Sequence, residues 1–110
     1  MDRKVPARIR KLMMELKEGL VRIYGDNLRA FYLYGSYARG EAGSDSDVDV
    51  MIVLNNYESY GKEIDRTGEL ISSLSLEYRV SISRVIIKES QWNISDTPLL
   101  RNIRMDGIPA

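Results

Sequence analysis

The chain has 110 residues, 44% of them apolar, and its 16 Lys plus Arg are balanced by 16 Asp plus Glu; this suits one small domain with its own core and excludes a disordered chain, a global basic field for nucleic acid and a polybasic run for a membrane surface. Cysteine and histidine are both absent, which excludes disulfides, thiolate chemistry and imidazole bases, so any bound metal must take oxygen ligands, as magnesium, manganese and calcium do. No apolar stretch approaches the roughly 18 residues of a membrane-spanning helix, no signal-like segment follows Met-Asp-Arg-Lys, and the expected address is the cytoplasm.

Val5, Ile9, Leu12, Met13, Leu16, Leu20 and Ile23 recur at three and four, which predicts an amphipathic helix over about 5–23. Gly25 stands where its C-terminal cap is expected. "LRAFYLY", 28–34, reads as a short buried strand ended by Gly35-Ser36, and 36–40 as a helical turn or short helix. A loop over 40–46 leads into "VDVMIVL", 48–54, apolar on both faces after Asp49 and so expected to be a central strand. A polar connection, 55–61, precedes a second amphipathic helix over about 62–78, and "RVSISRVII", 79–87, reads as a third strand. Residues 88–95 are expected as a loop with Trp92 as a packing anchor, and 97–105 as a last helix with Pro98 near its start and Gly107 just past its end. The helix between strands two and three permits a parallel crossover. If Gly35-Ser36 and Asp47-Asp49 serve one ligand, strands one and two are antiparallel and the sheet is mixed.

The chemistry concentrates at the mouth of the second strand. Asp45, Asp47 and Asp49 occupy alternate positions. Side chains two apart on a strand share a face, with α-carbons about 6.6 Å apart. Two carboxylates that close repel unless a cation lies between them, and magnesium completes its shell with waters and phosphate oxygens. Asp45 shares their face only if strand geometry reaches back through Gly43-Ser44. Gly35 permits close backbone approach to a phosphate, Ser36 adds a hydroxyl, and amides at the start of the following turn point at an anion. Arg39 either reaches a phosphate or locks the loop through a salt bridge. Tyr32, Tyr34 and Tyr37 serve the core or stack on a base. Arg79, Arg84, Arg101 and Arg104 form a basic face or are singly solvated. Leu99, Leu100 and Ile103 belong to the core or to an interface. A core of this size leaves apolar surface for a partner or a second copy of the chain, a homo-oligomer.

"GSYARGEAGSDSDVDVMIV" resembles the signature of the DNA polymerase beta-type nucleotidyltransferase superfamily. In length, element order and the closing "TPLLRNIRMDGI", the whole chain is similar to the minimal nucleotidyltransferases. The resemblance implies an α/β (α+β) fold, a small three-stranded mixed sheet flanked by helices, over 1–110 as a single nucleotidyltransferase domain. It places the phosphate turn on Gly35 and Ser36 and the metal-binding, catalytic carboxylates on Asp47 and Asp49. It further implies magnesium or manganese, and transfer of a nucleoside monophosphate, AMP from ATP or another nucleoside triphosphate, to a hydroxyl. Many family members pair with a HEPN-type helical protein and act as its antitoxin.

One departure matters. The superfamily carries a third carboxylate on its third strand, and here that strand holds no acid. Ser83 occupies the expected position, with Ser81 as the other candidate; Glu77 and Glu89 flank the strand. The leading expectation is a magnesium-dependent nucleotidyltransferase acting on a HEPN-type partner. The alternative is a catalytically degenerate binding module that neutralises a partner by occlusion. A third reading, an antibiotic-modifying enzyme, needs a second domain for which 110 residues leave no room.

Overall fold

A computed structural model describes residues 3–110; Met1 and Asp2, the start of the Met-Asp-Arg-Lys stretch, lie outside the described residues. Pro6 leads into helix α1 (Ala7–Tyr24), which buries the predicted stripe of Ile9, Leu12, Met13, Leu16 and Leu20. Gly25 stops it at φ +54, a left-handed conformation suited to glycine. Strands β1 (Leu28–Tyr34) and β2 (Val48–Leu54) occupy the spans the sequence predicts, joined through the short helix α2 (Gly35–Arg39) and a loop.

Helix α3 (Tyr60–Tyr78) starts earlier than its apolar stripe suggests, because Ser59 Oγ accepts the Lys62 N–H at 3.4 Å and caps the helix upstream. Strand β3 (Ile82–Lys88) starts later than predicted. Arg79 adopts a left-handed conformation, φ 52° and ψ 49°, and its N–H bonds back to Ser75 O, so the exit from α3 consumes 79–81.

The sheet order is β3-β2-β1-β4: β1 and β2 are antiparallel, β2 and β3 parallel. The mixed sheet agrees with expectation, but it has four strands rather than three. Strand β4 (Ile108–Pro109) pairs with Tyr32 and Leu33 of β1, and the Ala110 N–H donates to Phe31 O at 2.8 Å. Two residues including a proline carry no strand pattern, so this edge strand depends on the tight turn at Gly107. There the N–H bonds to Ile103 O at 2.7 Å, and a Cβ would run into that same carbonyl.

Residues 88–95 also differ from expectation: Glu89–Ile94 form helix α4 rather than a loop. Gln91 Oε1 accepts the Lys88 N–H at 3.0 Å, and Trp92 packs on Tyr32 with ring centroids 5.3 Å apart. The segment lacks an apolar period because a cap and a single aromatic anchor hold it. Helix α5 (Pro98–Asp106) follows, capped by Thr97.

The sheet is covered on both faces. Val50, Ile52, Leu54, Phe31 and Leu33 pack with α1 and α3, while Met51 and Val53 pack with Leu100 and Ile103 of α5. Leu100 and Ile103 are therefore core, and Leu99 is exposed. Every residue of β2 is buried except Asp49, which is half-buried. The four candidate arginines do not make one basic face. Arg84 Nε donates to Thr67 Oγ1 at 2.9 Å, Arg101 pairs with Asp96 at 3.1 Å, the Arg104 guanidinium lies 4.6 Å from the Trp92 ring centre, and Arg79 caps α3. No helix among the described residues is long and apolar enough to cross a membrane.

One buried polar chain ties α1, α3 and β3 together. The Tyr24 hydroxyl donates to Glu63 Oε1 at 2.8 Å, Glu63 also faces Arg66 at 3.6 Å, and Thr67 Oγ1 bridges from Glu63 O to Arg84. Glu63 is 4% exposed, so a lost hydrogen bond there leaves a carboxylate short of partners. Tyr24→Phe is expected to cost about 1–3 kcal/mol, measured by urea denaturation.

Candidate active site

The site forms where the end of β1 meets the start of β2. Tyr34 is the register partner of Asp49, and the next residue, Gly35, turns the chain into α2 at φ +75. A Cβ at Gly35 would collide with Asp49 Oδ2 and lie 3.2 Å from its Cγ. The position therefore needs glycine twice over, for its backbone conformation and for the carboxylate packed against it. Ser36 follows in the first turn of α2, and its carbonyl accepts the Glu41 N–H at 2.9 Å as the helix ends.

The loop back to β2 is closed by a reciprocal turn. The Gly43 N–H donates to Ser46 Oγ at 2.9 Å, and the Ser46 N–H donates to Gly43 O at 3.2 Å. Asp45 stays exposed in this loop. Asp47 comes one residue before the strand and is exposed, while Asp49 lies on the strand and is half-buried. Between them the Val48 N–H donates to Ser81 O at 2.9 Å, which fixes the strand mouth to β3.

Electrostatics bind these residues into one site. Burial pushes the Asp49 carboxyl above its ordinary value, the neighbouring Asp47 carboxylate pushes it further, and Arg39 pulls it down. Burial and then Asp49 push the Tyr34 hydroxyl up. Arg39 Nε pairs with Glu41 Oε2 at 2.9 Å, both side chains exposed, so the salt-bridge alternative is the one seen in this structure. An exposed pair of this kind is worth under about 1 kcal/mol and does not hold Arg39 against a phosphate.

Ser83 is the register partner of Asp49 on the other side, exposed at the rim. Adjacent strands lie about 4.8 Å apart, so Ser83 adjoins the carboxylate. Ser81 precedes the strand and spends its carbonyl on Val48. Glu89 stands beyond the far end of β3, roughly 20 Å away at strand rise, and faces Arg29 at 3.9 Å. Among the described residues no group of three acids comes together that could hold a metal. The donor set is a carboxylate pair, one member raised by its neighbour, which fits a hard divalent cation that takes its remaining ligands from water and phosphate.

The three tyrosines separate. Tyr37 is buried in the core on the α1 face, Tyr32 stacks on Trp92, and Tyr34 alone stands beside Asp49. Nothing in the one-dimensional pattern distinguishes Tyr34 from the other two; the strand register does.

A family model described as "Nucleotidyltransferase domain" matches residues 13–109. The chain belongs to the nucleotidyltransferase domain family. A Methanocaldococcus jannaschii relative, a candidate protein adenylyltransferase, is 35% identical over 80 residues, covering 73% of this chain and 80% of its own. Solved structures share the fold at lower identity. A candidate nucleotidyltransferase from Sulfolobus solfataricus superposes with a TM-score of 0.66 at 20% identity, covering 99% of this chain and 86% of its own. A candidate minimal nucleotidyltransferase gives 0.62 at 20% identity, covering 93% and 92%. A toxin–antitoxin complex with AMP-PNP gives 0.60 at 20% identity, covering 86% and 68%.

In this nucleotidyltransferase the raised Asp49 has a consequence for stability. A carboxyl whose folded value exceeds its unfolded value leaves the folded state binding more protons, so stability falls as pH rises through the window above 3.8. Asp49→Asn removes that loss. The variant is expected to melt above wild type at neutral pH, with the gain shrinking to nothing as pH falls below the ordinary carboxylate range; thermal melts across pH check it.

Proposed function

We propose that this chain transfers AMP from ATP to a hydroxyl on a partner protein, with a magnesium or manganese ion held by Asp47 and Asp49. The packing of Gly35 against Asp49 carries this reading, because it puts a phosphate-permissive turn and a metal-competent carboxylate in direct contact. The 35% identical relative described as a candidate protein adenylyltransferase supports protein as the acceptor class. The fold neighbours solved as toxin–antitoxin complexes support a HEPN-type helical protein as partner and an antitoxin role.

In this mechanism Gly35 lets the triphosphate approach the backbone, and Ser36 with the first amides of α2 donates to its oxygens. Arg39 exchanges Glu41 for phosphate at small cost. Asp47 and Asp49 would hold the divalent ion, which when bound would supply charge neutralisation for the transferring phosphate. The acceptor oxygen attacks the α-phosphorus, the bond to the bridging oxygen breaks, and pyrophosphate leaves. With serine at 83, the hydroxyl proton finds no carboxylate on β3 and departs to water. Transfer of this kind depends mainly on positioning and charge stabilisation, so a two-carboxylate site retains activity at reduced rate. A second reading, occlusion of a partner without transfer, rests on that same serine.

Two experiments test the proposal. Magnesium plus ATP should raise the melting temperature by binding the native state, and Asp47→Asn with Asp49→Asn should abolish the rise while leaving the fold intact. A shift that survives the double substitution would remove the metal site from this account. With labelled ATP and the partner, Ser83→Asp should raise transfer by about a hundredfold or more, the range in which a general base acts. A drop in transfer would mean that the catalytic set is already complete. Tight partner binding with no transfer by any variant would establish occlusion instead.

A further inference from the structure

Helix α1 leaves a groove along one flank that the sheet does not close. Strand β4 pairs with only Tyr32 and Leu33 of β1. A cavity of about 590 Å³ lies between α1 and β4, and a second of about 190 Å³ continues along the edge of β1; they share Lys17 and Ala110 and so run into one another. Arg10, Lys11, Lys17 and Arg29 line this groove, and among the described residues no Asp or Glu does. Among the described residues the side chains of Arg10, Lys11 and Lys17 make no hydrogen bond or ion pair, while Arg29 faces Glu89 at 3.9 Å. Several cations elsewhere are paired, as in Arg39–Glu41, Lys62–Glu58, Arg66–Glu63 and Arg101–Asp96. The whole chain has a net charge of zero, so this excess is local. Two apolar side chains stand among the cations, Met14 at 65% and Val21 at 48% exposure.

We propose that the α1 groove docks an acidic segment of a partner protein that seats an apolar anchor on Met14 and Val21. The unpaired cations call for carboxylates, and the exposed apolar pair calls for a side chain that nucleic acid does not offer. The aromatic residue in the lining, Phe31, is only 2% exposed and presents no face on which a base could stack. Methionine adapts its shape to an irregular apolar partner, and the lysine stems add apolar contact below their charges. The groove lies with α1 on the sheet face opposite the one shared by Asp49, Met51 and α5, so an occupant leaves the nucleotide site open. This inference stands independently of nucleotidyl transfer.

The test uses fluorescence anisotropy with labelled Glu-Glu-Leu-Glu-Glu-Met-Leu-Glu, its counterpart with lysine for glutamate, and oligouridylate. The acidic peptide is expected to bind, more weakly as ionic strength rises past about 0.15 M, and the basic peptide is not. Lys11→Glu with Lys17→Glu should weaken the acidic peptide about tenfold or more. Met14→Ser should weaken it at unchanged charge, and both variants should keep the wild-type melting shift with magnesium and ATP. Acidic-peptide binding no tighter than basic, or unaffected by the charge reversal, would overturn the inference. Tighter binding of oligouridylate than of the acidic peptide would overturn it in favour of a nucleic-acid surface.

Discussion

Nothing larger than a hydrogen atom fits between the α-carbon of Gly35 and the carboxylate of Asp49. That contact closes the corner between the end of β1 and the start of β2, and much of the molecule is arranged to maintain it. The antiparallel register sets Tyr34 opposite Asp49, so the residue that follows Tyr34 meets the carboxylate. The parallel register of β3 then sets Ser83 on the other side of Asp49. A one-residue slip in either pairing would turn Asp49 toward the opposite face of the sheet. The burial of Val48, Val50 and Ile52 against α1 and α3, and of Met51 and Val53 against α5, opposes such a slip. The core thus positions the charged mouth by fixing register, with no polar contact from the core to the carboxylates.

The same burial makes Asp49 costly in the absence of a cation. A carboxylate half-withdrawn from water and facing a second carboxylate is held charged against its preference. Arg39 relieves part of this but is itself drawn to Glu41. The mouth therefore favours positive charge, and on the proposed function a bound cation with its nucleotide would release unfavourable energy already present in the fold. This is the trade between stability and function seen where active sites store repulsion.

Much of this was legible in the sequence. Both central strands were readable to their end residues, because a run of β-branched and aromatic residues bounded by Gly-Ser and by polar loops admits few alternatives. That Gly35, Asp49 and Ser83 lie together at one strand mouth follows from the register of β1, β2 and β3; their roles as a site were read from the resemblance. What stayed hidden depends on contacts between segments. Helix α4 rests on Trp92 meeting Tyr32, and β4 on a turn forced by Gly107. The engagement of Arg84 in a buried chain with Thr67, Glu63 and Tyr24 links three elements far apart in sequence. The selection of Tyr34 from three tyrosines needs strand register, which periodicity does not encode.

The serine at 83 bears on what kind of catalyst a chain this small can be. A positioned general base contributes about a hundredfold to ten-thousandfold, whereas fixing two reactants together contributes far more. A site that lacks the base but retains the carboxylate pair and the phosphate turn gives up the smaller share. The loss matters most to an enzyme that must turn over a freely diffusing acceptor many times. It matters least when the acceptor hydroxyl belongs to a protein held on the same surface, where the effective concentration is high and each partner needs modification only once. The domain has surface on which such an acceptor could be held, including exposed Met14, Leu76, Ile94 and Met105. On the proposed function, this geometry would suit a slow transferase whose partner brings the reacting group and the binding energy together.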